Sequence, residues 1–479
     1  MLDSDNEKRD IISEQEIEGL NNQIKENYDH HSDLEDRWMK PENPLLLEQL
    51  EWFRDQKLGL LIHWGPYSQL GIDSSWGLSD EDASWSRNEI DWVNDGDEFK
   101  REYFGLKKSF NPIRFQPEKW ADLAADSGFK YFIFTTKHHD GFCMWDSHTT
   151  ENKITDSNCL FHNHKYADVC KHVWDAFRSK GLAVAAYFSK ADWHTPYYWA
   201  PGMERGSTMW RGPSYDPQKY PALWEKFAKL THDQIMELVS NYGHIDILWL
   251  DAGWVSAKNG QDIHLGEIIE EARKLQPWLI TADRTVGGQY ENYLTPEQTI
   301  PPEPINVPWE SCLTIGNSWT FRYNDTYKPS RQLIRIIIDI ISKGGNVVFG
   351  IGPQPDGRIP EGAVLRLHEL GEWLKIYGEA VYGTRTCAPY RQGNCYFTMK
   401  KDIVYCFYTY DSEDPIIDEC IFIPYREKIK RIDLVGGNAE LVFEHLAEGL
   451  RVNLSINKLT EINPVAHVLR MYRDAVSAE

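Results

Sequence analysis

Several short apolar runs in this sequence end in residues that can carry charge or move protons. The run Asp246–Asp251, DILWLD, is apolar between its two acids. Such a pattern is typical of a strand buried on both faces. Four more runs end in polar side chains, and the complete set is His63, His138 with His139, Tyr187, Asp251, and Asp283 with Arg284. Imidazoles, carboxylates and a guanidinium are the groups that serve nucleophilic and acid–base chemistry.

The elements that carry these residues alternate along residues 45–384. Strands are predicted at Leu58–Gly65, Tyr131–Thr136, Leu182–Ser189, Asp246–Asp251, Leu279–Asp283 and Asn346–Gly352. Helical patterns lie between and after them, at 118–127, 167–180, 221–241, 266–276, 331–342 and 360–377. This alternation predicts an α/β fold, a (β/α)₈-like (TIM) barrel with one or two degenerate units. In such a barrel the carboxyl ends of the strands form one mouth, where the polar residues would meet.

Two further segments flank the predicted barrel. Residues 385–479 contain short strands joined by polar turns with no long helix, which predicts a small antiparallel β-sandwich. Residues 1–44 are acidic and polar, and we expect an N-terminal extension that is either a solvated arm or an oligomer contact.

The amino-acid composition indicates which binding partners and which cellular environment to expect. A net charge of −22 argues against nucleic acid and against anionic membrane surfaces. The start lacks the apolar core of a signal peptide and no run is long enough to cross a membrane, so we expect a soluble, cytoplasmic protein. The eight cysteines are scattered and include no CxxC pair, so we expect them to be reduced thiols that form no disulfides. Aromatic residues make up 13% of the chain and include 19 tryptophans, whose flat faces suit sugar rings.

Three interpretations of the strand-end residues compete. A metal site has the right ligand types in His63, His138, His139, Asp140 and Asp251, but no HxH or HExxH spacing. A purely structural role explains any single histidine but not polar residues at five strand ends. A glycosidase site needs two carboxylates, hydrogen-bond donors and aromatic walls, and it accounts for the whole set. Asp251, with Trp249 on the same side of its strand, is then the candidate nucleophile.

Five segments resemble those of glycoside hydrolase family 29, the retaining α-L-fucosidases. They are KLGLLIHWGPYS, FKYFIFTTKHHDGFCMWDS, DILWLDAGW, PWESCLTIGNSWTF and IIDIISKGGNVVFGIGPQPDGRIPE, in the family's order between about Leu47 and Gly383. The resemblance implies the same barrel and sandwich, and hydrolysis of terminal α-L-fucosyl groups through a fucosyl-aspartate. It implies no metal or organic cofactor. Fucosylated oligosaccharides are the expected partner, and a homo-oligomer is possible for this architecture.

The resemblance also implies roles for individual residues. Asp251 matches the catalytic nucleophile. Expected substrate-binding residues are His63, His138, His139, Tyr187, Trp249, Arg284 and Trp319, the last beside the fucose methyl group. Several relatives carry Glu-Trp in the loop after the first strand, where this chain has Ser84-Trp85. Trp85 is therefore a further expected subsite residue, and Glu81, Asp82 or Glu89 are candidates to replace the missing acid.

The general acid/base has two candidates. Glu297, in YLTPEQ, resembles the glutamate of some members, and Glu310, in PWES, is its rival. We expect the acid to have a raised pKa and to lie about 5–5.5 Å from Asp251, as in retaining enzymes.

Substrate preference stays open at this point. An α-L-galactosidase on the same fold and a catalytically dead fucose-binding protein are the alternative functions. The chain lacks the Arg-Glu-Thr-Glu-Trp type of segment seen in relatives restricted to Lewis-type linkages. It also has an aromatic insert at residues 192–212, which would either wall the aglycone side or form a subunit contact.

Overall fold

Seven parallel strands form the curled sheet at the centre of the molecule. The computed structural model describes residues 34–87, 96–203, 211–410, 419–437, 439–454 and 465–473. In chain order the strands are β1 (Leu58–Ile62), β2 (Tyr131–Lys137), β3 (Ala183–Ser189), β4 (Ile247–Asp251), β5 (Ile280–Asp283), β6 (Glu310–Thr314) and β7 (Asn346–Ile351). Their order in the sheet is β5-β4-β3-β2-β1-β7-β6. All six predicted strands are present, and β6 is an additional one.

Helices follow the predicted pattern closely. The helices of the barrel region are α1 (Leu34–Arg37), α2 (Pro44–Gln56), α3 (Ala83–Ser86), α4 (Gly96–Gly105), α5 (Pro117–Asp126), α6 (Val169–Ser179), α7 (Pro221–Asn241), α8 (Leu265–Leu275), α9 (Ser330–Ser342) and α10 (Glu361–Tyr377). The six predicted helices match α5 to α10, with ends within two residues. The TIM-like barrel is thereby confirmed.

An irregular segment lies between the edge strands β5 and β6. Glu291 forms an antiparallel bridge to Ala282 in β5, and Glu297 forms a parallel bridge to Cys312 in β6. Residues 291–298 therefore span the gap in place of a regular strand, which is the degenerate unit that the sequence pattern predicts. Glu297 owes its position to this segment.

Alternation along the strands separates the barrel interior from the helix layer. In β4, Ile247 and Trp249 belong to the interior cluster, while Leu248 and Leu250 pack with the surrounding helices. Asp251 continues the inward-facing series because side chains repeat every two residues. At the amino ends of the strands, Phe53 of α2 closes the interior, with its ring 4.3 Å from that of Tyr293.

An antiparallel β-sandwich follows the barrel. Its strands are β8 (Arg385–Gln392), β9 (Cys395–Lys400), β10 (Ile403–Thr409), β11 (Cys420–Ile423), β12 (Ile429–Leu434), β13 (Ala439–Glu440), β14 (Val442–Leu446), β15 (Gly449–Asn453) and β16 (Ala466–Arg473). One sheet has the order β13-β12-β16-β10-β9-β8, and the other has the order β11-β15-β14. Apolar side chains from both sheets form a separate core between them.

The described end of the N-terminal extension lies on the barrel. Trp38 forms a bridge to Gly288 and donates its indole N–H to the Asn292 carbonyl at 2.8 Å. The backbone N–H of Asn306 donates to Glu35 Oε1 at 2.7 Å. Residues 34–38 are thus anchored to the polypeptide between β5 and β6. Among the described residues, no helix has the length and apolar character needed to cross a bilayer.

Candidate active site

A cavity of about 710 Å³ opens at the carboxyl ends of the barrel strands. Its lining includes most of the predicted site residues: His63, Trp85, His138, Tyr187, Trp249, Asp251, Arg284, Glu297 and Trp319. Polar strand ends from β1 to β5 therefore meet at one mouth, as the barrel requires. His139 and Glu310 are not part of this lining.

Asp251 ends β4 at the floor of the cavity. Its Oδ1 accepts a hydrogen bond from Arg284 Nη1 at 2.7 Å, and its Oδ2 accepts one from the Tyr187 hydroxyl at 2.5 Å. Burial opposes ionisation of this carboxyl, but Arg284, His139 and the Tyr187 hydroxyl together hold the pKa of Asp251 well below its usual range. Asp251 is consequently an ionised carboxylate in a largely buried setting.

Strained backbone follows two of the site residues. Ala252, after Asp251, and Thr285, after Arg284, both have φ of 65°, a left-handed conformation that costs free energy for residues other than glycine. The two turns are packed together so closely that a Cβ added to Gly253 would lie 2.2 Å from Thr285 Oγ1. This contact fixes the end of β4 relative to the end of β5.

Arg284 connects two carboxylates. Besides its bond to Asp251, its Nη2 donates to Glu297 Oε2 at 2.6 Å, and its guanidinium carbon lies 4.2 Å from the centre of the Trp249 ring. One planar fork thus holds a buried carboxylate and a half-exposed one on the same side of the cavity.

Glu310 occupies a different level of the barrel. It begins β6, is fully buried, and accepts hydrogen bonds from the Tyr131 hydroxyl at 2.6 Å and from Trp249 Nε1 at 3.1 Å. Burial raises the pKa of Glu310 to about 7. The amino end of a barrel strand is the end opposite the cavity, and Trp249 is the link between this carboxyl and the site.

The three predicted histidines are neutral for a common reason. Burial lowers the pKa of His63 and of His139 to about 3 each, and it lowers the pKa of His138 well below its usual range. His138 Nδ1 pairs with Ser75 Oγ at 2.5 Å, and His139 Nδ1 pairs with Ser189 Oγ at 2.6 Å. His139 lies behind the lining, with Nε2 3.7 Å from Asp251 Oδ2.

Aromatic rings form the walls. The Trp319 ring lies 5.4 Å from that of His63. Trp76, which the sequence analysis missed, also lines the cavity and packs on His139 with ring centres 4.7 Å apart. Trp85 is 43% exposed and lies farther out, with its ring 6.3 Å from that of Trp76. The loop after β1 contains two Ser-Trp pairs, Ser75-Trp76 and Ser84-Trp85. The earlier pair could have identified Trp76 as a site residue from the sequence.

Some charged residues of the neighbouring loops line the cavity, and others are paired outside it. Asp73, also missed from sequence, lines the cavity, and burial raises its pKa to about 6. Asp82 is instead paired with Arg211 of the aromatic insert at 2.8 Å. Arg211 lines the cavity and lies 4.8 Å from the Trp76 ring, so this end of the insert contributes to the wall. Residue Glu89 is outside the described ranges.

The metal interpretation meets an electrostatic obstacle. Candidate ligand atoms of His138, His139 and Asp251 lie within 4.8 Å of one another. However, the guanidinium of Arg284 lies 2.7 Å from the same carboxylate, and its positive charge disfavours a cation there. The arrangement fits a carboxylate that is kept ionised by a protein cation.

The protein combines a TIM-like barrel and a β-sandwich with a cavity in which carboxylates lie among aromatic walls. This combination is that of a glycoside hydrolase. The family model described as Alpha-L-fucosidase matches residues 25–379. Plasma alpha-L-fucosidase of Rattus norvegicus is 30% identical over 350 residues, or 70% of this chain and 71% of that protein. Alpha-L-fucosidase isoenzyme 1 from Paenibacillus thiaminolyticus superposes with a TM-score of 0.73 at 27% identity, covering 90% of this chain and 100% of that one. The chain belongs to the α-L-fucosidase family, glycoside hydrolase family 29.

Proposed function

We propose that this enzyme removes terminal α-L-fucosyl groups from oligosaccharides or glycoconjugates by retaining double displacement. The observation that carries the proposal is the Arg284 fork, which bonds both Asp251 and Glu297 at the cavity. Two carboxylates with different environments are what this mechanism needs, one permanently ionised and one able to exchange a proton.

Each step assigns one task to each carboxylate. In the first, Asp251 attacks the anomeric carbon while Glu297 gives its proton to the departing glycosidic oxygen, so that the carbon–oxygen bond breaks and a fucosyl-aspartate forms. In the second, Glu297 takes a proton from water, and that water attacks the same carbon and releases Asp251. Two inversions leave the configuration of the sugar unchanged.

Location supports Glu297 over Glu310 as the acid/base. A raised pKa was expected of the acid, and that property belongs to Glu310. A proton donor must also lie within hydrogen-bond reach of the departing oxygen, and geometry takes priority over pKa. Glu297 lines the cavity, whereas Glu310 is buried at the amino end of β6 and already bonded to Tyr131 and Trp249.

The remaining cavity residues have the chemistry to bind a sugar. Neutral His63 and His138 can donate and accept hydrogen bonds with ring hydroxyls, and His139 supports Asp251 from behind the lining. Tyr187 and Arg284 hold the nucleophile, and indole faces suit the apolar side of the ring. We assign Trp319 to the wall near the sugar methyl group and Trp76, with Trp249 and Trp85, to the other walls.

The first test is the initial rate of hydrolysis of aryl α-L-fucoside and aryl α-L-galactoside by the purified protein. We expect faster fucoside turnover, because a tight methyl pocket rejects the hydroxymethyl group of L-galactose. Faster galactoside turnover would support the alternative sugar. Tight fucose binding without turnover of either compound would support the dead-barrel alternative.

Azide separates the two carboxylate roles. For Asp251→Ala, azide takes the place of the nucleophile and should give the inverted fucosyl azide. For Glu297→Ala, azide should attack the accumulated fucosyl-aspartate and give the retained product. We expect Asp251→Ala to lose at least about 10³-fold in turnover with the fold intact. Substantial residual activity in Asp251→Ala would show that Asp251 is not the nucleophile. If azide rescued Glu310→Ala but not Glu297→Ala, the acid/base would be Glu310.

Two further properties remain proposals. All eight cysteines are unpaired, and six of them are buried, which supports a reducing, cytoplasmic setting. Fractionation of the native cells tests it, and secretion of the enzyme would contradict it. Light scattering of the purified protein tests whether the enzyme forms a homo-oligomer, which this architecture allows.

A further inference from the structure

The end of the N-terminal extension contributes a side chain to the cavity. Arg37 belongs to the lining, and its carbonyl accepts a backbone hydrogen bond from Gly288 at 3.0 Å. Trp38 anchors the same segment by donating its indole N–H to the Asn292 carbonyl. The extension therefore supplies a cation to the site from outside the barrel.

Arg37 differs from the other cations that line this cavity. Arg284 bonds two carboxylates, and Arg211 is paired with Asp82. Lys328 donates to the carbonyls of Thr314 and Gly316. In contrast, within the described part of the chain the side chain of Arg37 makes one long bond, from Nη1 to the Thr285 carbonyl at 3.5 Å. Its Nε is buried without a partner among the described residues, which leaves donors of a rigid fork unused.

Arg37 lies on the side of the cavity that receives the leaving group. The segment to which it bonds, residues 285–298, carries Glu297. If Glu297 protonates the departing oxygen, the group that leaves must lie against this segment. The wall formed by His63, His138 and Trp319 is then left for the fucosyl ring.

We propose that Arg37 forms an anion-binding leaving-group subsite, which favours fucosides whose aglycone carries a carboxylate or a sulfate. This inference rests on the proposed function. A guanidinium matches the two oxygens of either group with paired N–H donors. The subsite lies on an otherwise acidic protein of net charge −22, so recognition of an anion requires a dedicated cation such as this one.

A structural role for Arg37 predicts a different outcome. Glu291 is buried and accepts hydrogen bonds from the backbone of Thr285 and Gly287. Burial raises the pKa of Glu291, while the charge of Arg37 acts in the opposite direction. If Arg37 served only to balance Glu291, its removal would affect all substrates alike.

The test compares aryl α-L-fucosides that differ in one substituent: a ring carboxylate, its carboxamide isostere, and a sulfate ester. The measured quantity is the ratio of kcat/KM for each anionic compound to that for the carboxamide. We expect a ratio of about tenfold for at least one anion, the low end for a hydrogen bond to a charged group. The ratio should decrease in 0.5 M NaCl, because the Debye length is then about 3–5 Å and the attraction between Arg37 and the anion is screened.

Two variants and a control complete the experiment. Arg37→Gln should bring the ratio to about one, and Arg37→Lys should keep part of it, because the charge remains and the fork is lost. Lys40→Gln removes the same charge from the same extension, at an exposed residue outside the cavity lining, and should keep the wild-type ratio. Comparison of the carboxylate and sulfate ratios identifies the preferred anion.

The outcomes separate the two proposals. Turnover of all three compounds with a wild-type ratio near one, or an unchanged ratio in Arg37→Gln, overturns the subsite and leaves the fucosidase function intact. Equal loss on all three compounds in Arg37→Gln also overturns it, in favour of the structural role. Failure of the wild-type enzyme on every fucoside would instead contradict the proposed function.

Discussion

Replacement of Glu310 by glutamine tests the role of this buried carboxyl. Glu310 accepts bonds from Tyr131 and Trp249, and glutamine retains one acceptor oxygen at nearly the same volume. The substitution should therefore cost about 1 kcal/mol for one weakened bond, independent of pH. It also removes the one proton that this position can exchange.

The pH dependence follows from the pKa of Glu310, which burial raises from 4.5 to about 7. Below pH 4.5 the carboxyl is protonated in both the folded and the unfolded chain, and it has no effect on stability. Between pH 4.5 and 7 the unfolded chain ionises while the folded one keeps its proton, so the wild type loses stability. At about 1.4 kcal/mol per pH unit, this interval amounts to about 3 kcal/mol. Glu310→Gln avoids that loss.

The assay is equilibrium unfolding in urea at pH 4.5 and pH 8, for wild type and variant. We expect the variant to be slightly less stable than wild type at pH 4.5 and more stable at pH 8, since other titrating groups cancel in the difference. Glu102→Gln, at an exposed glutamate, should show no such crossover. A difference that does not change with pH would refute the argument. We also expect Glu310→Gln to keep fucoside turnover within about tenfold, against a loss of about 100-fold or more for Glu297→Gln.

Three further substitutions test the site. Arg284→Lys keeps the charge but loses the planar fork that holds both carboxylates, so kcat/KM should fall at least about 100-fold; the pKa of Asp251 should rise toward its usual range, which moves the acidic limb of the pH–rate profile to higher pH. Trp38→Ala removes the bond to Asn292 and should raise KM and destabilise the fold by about 2 kcal/mol in urea unfolding; unchanged values would mean that the extension does not support the cavity. Trp319→Ala should raise the galactoside-to-fucoside ratio of kcat/KM, and an unchanged ratio would place the methyl pocket elsewhere.

The barrel was largely predictable because its signals are local. Strands buried on both faces are apolar throughout, and helices repeat their apolar residues at a period of 3.6. β6 escaped prediction because it begins with the polar residues Glu310 and Ser311. Its glutamate is stabilised inside the barrel by Tyr131 and Trp249, partners that lie far away in the chain.

Loop residues were less predictable than strand ends. The rule that parallel strands end at one mouth was enough to group His63, His138, Tyr187, Asp251 and Arg284, which all line the cavity. Nothing comparable exists for the loop after β1, where Trp85 was expected and lines the cavity, while Trp76, which was not expected, lines it too and packs on His139. A loop has no fixed period, so sequence spacing alone does not say which of its tryptophans face the cavity.

By itself, the sequence determined the order of six of the seven barrel strands, the family and the set of polar strand ends, because each can be read from patterns that are local in the chain. Only the tertiary structure decided that Glu310 lies at the amino end of a strand, that residues 291–298 close the barrel, and that Arg37 reaches the cavity. The position of Arg37 depends on contacts between segments 254 residues apart, such as the bond from Trp38 to Asn292, and the burial of Glu310 depends on Tyr131 and Trp249, 179 and 61 residues away. Ring closure creates those contacts, and no local pattern encodes them.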